Sequence, residues 1–127
     1  VRAEHGVLRS YLYEPRASLM KLGAFGWICE HYNVKQIGEN SHLFTSEELR
    51  KDFPGKIFRV QEVASPRKDD IKKVLGKKGA TLATRNYPER SDALRRRYRI
   101  AEGNDFHLFF TRIGKGEYTV IITAPIR

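Results

Sequence analysis

Sulfur chemistry is nearly absent from this 127-residue chain, whose single cysteine, Cys29, excludes an internal disulfide and any cysteine-rich zinc site and fits a reducing compartment. No apolar run approaches the roughly 20 residues needed to cross a bilayer, and no basic start leads into an apolar secretory stretch. A soluble, cytoplasmic protein with no membrane partner is the expectation. The histidines are His5, His31, His42 and His107. None stands at a metal-ligand spacing, there is no HExxH, and no carboxylate is placed to share a metal with them, so no metal is expected. Glu47–Glu48 and Asp69–Asp70 are sequence neighbours whose side chains diverge, unlike a catalytic carboxylate dyad. A strand followed by GxGxxG is missing, as is a P-loop. The chain therefore shows no catalytic residue and no cofactor site of its own, and reads as a non-catalytic part. It also lacks an initiating methionine, beginning at Val1, which reads as a piece of something longer.

What the chain has in excess is positive charge, and the excess is local. Between Arg67 and Arg99 stand twelve Lys and Arg against four acids, an excess of eight out of the chain's net +9. A concentrated field of this kind attracts and steers polyanions, phosphate backbones first among them. The plain alternative is a solvated helix face, but few nearby acids balance this one and two consecutive helices carry it.

About 40% hydrophobic and 11% aromatic residues suit a globular fold of roughly one domain's length. Taken in order, residues 1–10 read as a lead-in or linker. Tyr11–Tyr13 suits a strand, and Glu14-Pro15 is positioned to open a helix. Apolar side chains at Met20, Ala24, Trp27, Ile28 and Tyr32 then mark one face of a helix over Arg16–Tyr32. Gly23 and Gly26 weaken that helix, which favours close approach of another backbone there. Asn33 stops it. His31 suits a helix end, where a cation is favoured, and Cys29 reads as a small core residue. Short extended passages follow at Val34–Gly38 and His42–Ser46, with Ser46 capping an acidic turn. Ile57, Phe58, Val60 and Val63 make a strand. Ser65-Pro66 opens a helix with Asp69 and Asp70 in its first turn and lysines in its last. Its buried stripe is Ile71, Val74 and Leu75, so Lys72, Lys73 and Lys77 face outward. Ala80–Tyr87 is a strand, and with the strand before it implies a parallel pair. Glu89–Ile100 is a second basic helix with Leu94, Tyr98 and Ala101 inward. Phe106–Ile113 and Tyr118–Pro125 form a hairpin through Gly114-Lys115-Gly116. The second half thus reads β-α-β-α-β-β, an α+β arrangement with helices mainly on one face of a mixed sheet.

The candidate nucleic-acid contacts follow from these elements. Lys72, Lys73, Lys77, Arg95, Arg96 and Arg99 are placed to hold phosphates without reading sequence. Arg85 and Tyr87, at a strand end, are placed to contact a base or sugar; alternatively Tyr87 is core and Arg85 pairs with Asp92. The alternative is a structural or interaction module, in which Met20, Trp27 and the two glycines of the first helix dock on the catalytic domain or a second copy and bind no RNA.

Two stretches carry a resemblance. Tyr11-Leu12-Tyr13-Glu14-Pro15-Arg16-Ala17-Ser18, with Gly23-Ala24-Phe25, His42-Leu43-Phe44-Thr45-Ser46 and Asp52-Phe53-Pro54-Gly55-Lys56-Ile57-Phe58-Arg59-Val60, resembles the C-terminal part of a bacterial, Bacteroidetes-type family of class I S-adenosylmethionine-dependent methyltransferases. Residues 11–57 are similar to its small ferredoxin-like segment. Residues 58–127, with Ala83-Thr84-Arg85-Asn86-Tyr87-Pro88, are similar to its THUMP-like domain. The resemblance implies that the catalytic domain and its S-adenosylmethionine site lie in an N-terminal part outside this chain, and that this chain brings RNA, tRNA or rRNA, to it.

Overall fold

The computed structural model describes residues 7–38 and 40–126; His5 and the start of the expected lead-in lie outside the described residues. Among the described residues, seven strands and four helices follow in the order β1 (Tyr11–Pro15), α1 (Ala17–Leu22), α2 (Phe25–Tyr32), β2 (Lys35–Gln36), β3 (Phe44–Ser46), β4 (Gly55–Ala64), α3 (Lys68–Leu75), β5 (Ala80–Thr84), α4 (Ser91–Tyr98), β6 (Phe106–Arg112) and β7 (Tyr118–Pro125). The strands form one mixed sheet ordered β2-β3-β1-β4-β7-β6-β5. The α+β architecture read from the sequence, with β-α-β-α-β-β as its second half, is the one observed.

Side-chain alternation divides the sheet into two unlike faces. Toward one face point Leu108, Phe110, Val120 and Ile122, packed against Ile71 and Leu75 of α3 and Leu94 and Tyr98 of α4. Tyr13, Phe44 and Ile57 point the same way and pack against Ile28 and Cys29 of α2, which confirms Cys29 as core. All four helices therefore cover this side. Toward the other face point Leu12, Phe58, Phe109 and Ile121, packed against Ile37 and Leu43 from the β2–β3 segment and, at the margin, Leu8 and Ile113. The sheet curls to allow it: the Gly114 amide on the β6–β7 hairpin donates to the Ile37 carbonyl at 2.6 Å.

Several local expectations are corrected. Glu14 and Pro15 end β1 rather than open a helix, because Pro15 pairs with Gly55 and the Arg16 amide is held by the Pro54 carbonyl at 3.0 Å. The single helix over Arg16–Tyr32 is two, broken where Gly23 turns left-handed at φ 63°. A Cβ at Gly23 would meet nothing within 4 Å, so turning, and not the close backbone approach expected, explains this glycine. α3 begins at Lys68 and not at Ser65-Pro66: the Pro66 carbonyl is taken by the Tyr98 hydroxyl at 2.7 Å, and the helical ladder starts at the Arg67 carbonyl. The expected neighbours β4 and β5 run the same way but are separated by β7 and β6. The parallel pair is β5 with β6, across α4. A two-strand hairpin inserted between β4 and β5 is a long-range pairing that connection lengths do not encode.

Candidate nucleic-acid interface

α3 and α4 lie side by side on the helical face, and the periodicity that buries one side of each dictates what the other side shows. Ile71 and Leu75 are inward in α3, as Leu94 and Tyr98 are in α4. At about 100° per residue, Lys73 and Arg96 then project directly away from the sheet. Both are exposed, as are Lys77 and Arg99. Among the described residues none of these four has a carboxylate within ion-pair distance. Arg97, beside them, is neutralised by Glu89 at 2.8 Å.

The remaining sequence-selected residues have other work. Lys72 donates from Nζ to the Arg99 carbonyl at 2.6 Å, fastening α3 to the end of α4. Arg95 donates to the Ile100 carbonyl at 3.1 Å and to the Ala80 carbonyl at 3.0 Å. Its guanidinium joins α4 to the first residue of β5 instead of pointing outward. The left-handed Arg99, φ 52°, lets Ile100 turn back into the core, so the helix stops two residues short of its expected end at Ile100. Tyr87 packs edge-on against Phe110 and Tyr118, with ring centroids 5.5 and 5.0 Å away. Burial, reinforced by Tyr98 and Glu89, raises its hydroxyl above the ordinary tyrosine value and keeps it neutral.

Arg85 is not brought to the helical surface. It follows β5 on the opposite face and forms an ion pair with Glu14, 71 residues away in sequence. The alternative partner, Asp92, sits instead within 3.9 Å of Arg90. On Arg85's face the sequence reading missed Lys56 and His107, which alternation with Phe58 and Phe109 could have placed. His107 is stacked on Phe109 at 4.5 Å and edged by Phe58 at 4.8 Å. Burial, and then the charges of Lys56 and Arg85, lower its imidazole to a pKa of about 4, so it is neutral at physiological pH. Among the described residues no group of three or more potential ligands could hold a metal ion, and no helix is long and apolar enough to cross a membrane.

With this geometry, the chain is an α+β module in which a short ferredoxin-like part and a THUMP-like part share one sheet. Residues 11–54 match a family described as a ferredoxin-like domain, and residues 55–125 match the THUMP domain-like family. The chain belongs to this THUMP-like family, whose match takes in more than half its length. A solved structure from Porphyromonas gingivalis W83, provisionally described as a methyltransferase, is similar over 100% of this chain at 26% identity and a TM-score of 0.89. This chain spans only 32% of that one, about a third of its length. No curated protein matches.

Proposed function

We propose that this chain is the RNA-binding, C-terminal region of an S-adenosylmethionine-dependent methyltransferase whose catalytic domain lies outside it. The carrying observation is the outward side of α3 and α4, where Lys73 and Arg96, with Lys77 and Arg99 just past the helix ends, stand exposed without carboxylate partners among the described residues. Lys72 and Arg95 act there by holding the two helices in place. Likeness to one third of a protein described as a methyltransferase supports the assignment of the whole to methyl transfer. S-adenosylmethionine belongs with that absent domain, and RNA, tRNA or rRNA, is the ligand of this one, at the phosphates and not at the base edges.

Charge reversal at Lys73, Lys77 and Arg96 together tests the reading. Because each phosphate contact to a single strand contributes about 0.7 to the slope of log affinity against log salt, losing three contacts flattens that slope by about 2. An anisotropy titration of labelled RNA at several salt concentrations reads it directly. Unchanged affinity and slope, in a variant that still melts cooperatively, removes this surface from the site.

A further inference from the structure

The end of β1 and the start of β4, beside α1, carry a second feature, independent of the basic helices α3 and α4. Two cavities of about 540 and 450 Å³ open side by side and share Gly55 and Lys56. The first is rimmed by Arg16, Lys21, Lys56 and Arg85, with Glu14 as the one acid in its lining. Arg85 occupies Glu14, so Arg16, Lys21 and Lys56 have no carboxylate partner among the described residues. The second cavity is different in kind: His107, Pro125 and Ile126 line it beside Lys56, with the buried Phe58 ring beneath His107 and Asn104 also in the lining. The His107 Nε2 is shielded from solvent and has no hydrogen-bond partner among the described residues, an arrangement that costs free energy unless something compensates it.

A ligand filling both spaces carries an anion at one end and a flat, hydrogen-bonding ring at the other, and the volumes fall in the range of small-molecule sites. We propose that this double cleft binds a nucleoside monophosphate unit, with its phosphate against Lys56, Arg16 and Lys21 and its base in the chamber lined by His107, Pro125 and Ile126. Asn104, with an amide that both donates and accepts, stands where a base edge is read. The same unit is offered by a free nucleotide and by one nucleotide of an RNA strand. This proposal goes beyond the phosphate-binding surface, which is built from other elements, α3 and α4.

The ring resonances of His107, assigned by their loss in His107→Gln, report occupancy in solution NMR. The four nucleoside monophosphates and a short single-stranded oligoribonucleotide are the probes. The His107 resonances are expected to shift saturably, and Lys56→Ala, at an exposed position, to weaken that response about tenfold through loss of a charge-assisted phosphate contact. A response to mononucleotides identifies a free-nucleotide site; a response to the oligonucleotide alone identifies a strand-borne one. His107 resonances unmoved by every probe, or a Lys56→Ala response as tight as the unaltered chain's, overturn the cleft. If the oligonucleotide still binds by anisotropy in that case, the helical surface stands alone. Conversely, a His107 response alongside unchanged RNA affinity after the triple charge reversal leaves the cleft standing and removes the surface.

Discussion

Replacing Arg95 and Arg96 one at a time separates holding the fold from holding a ligand, because these chain neighbours point in different directions. Arg95→Ala deletes two hydrogen bonds from a charged donor, to the Ile100 and Ala80 carbonyls. Bonds of this type contribute about 1.5–3 kcal/mol each when their loss leaves a buried carbonyl unmatched. Here the guanidinium is only partly buried and water can replace it in part, which brings the expected total to about 2 kcal/mol. With an unfolding entropy of about 2.1 cal/mol/K per residue, a chain of this length loses about 4 °C per kcal/mol, so Tm falls by about 7 °C. Arg96→Ala touches neither carbonyl and stays within about 0.5 kcal/mol of the unaltered chain. For RNA the asymmetry reverses: Arg96→Ala removes one phosphate contact, about fourfold in affinity at 0.15 M salt. Thermal unfolding followed by circular dichroism, beside the RNA titration, supplies both readouts. An Arg95→Ala protein that melts with the unaltered chain, or an Arg96→Ala protein that melts well below it, refutes the division of labour.

Two further predictions rest on other parts of the molecule. At Gly79 an added Cβ would stand 2.2 Å from the Glu102 carbonyl oxygen, against backbone that cannot step aside, so Gly79→Ala costs about 3 kcal/mol; Gly23→Ala, in open space and strained only by its left-handed backbone, costs about 1 kcal/mol, and urea unfolding midpoints should rank them so. Acid should destabilise the fold through His107: its folded pKa of about 4 lies below the ordinary 6.5, so the unfolded chain binds the extra proton first. Its contribution is intact above pH 6.5 and is lost as pH falls toward 4, on the order of 2 kcal/mol once screening at its open side is allowed for. A His107→Gln protein with the same acid sensitivity over that window would contradict this assignment.

What the chain alone determined is what depends on near neighbours. The apolar runs of Phe106–Arg112 and Tyr118–Pro125, joined through a glycine-containing turn, point to a strand pair, and their continuity matches burial on both faces of the sheet. The inward positions Ile71, Leu75, Leu94 and Tyr98 follow from the helical repeat, and the outward course of Lys73 and Arg96 follows with them. Tertiary structure decided everything that joins distant residues. Pairing β7 between β4 and β6 set the strand order; the Pro66 carbonyl was claimed by Tyr98 and delayed α3; Arg95 found carbonyls and Arg85 found Glu14. Lys56 and His107 became neighbours of Arg85 only because the curled sheet carries them to one side. A charged side chain several bonds long takes whichever partner the folded backbone brings within about 3 Å. No local pattern records that choice, so the sequence named the cations and the fold alone sorted those that hold the structure from those left facing water.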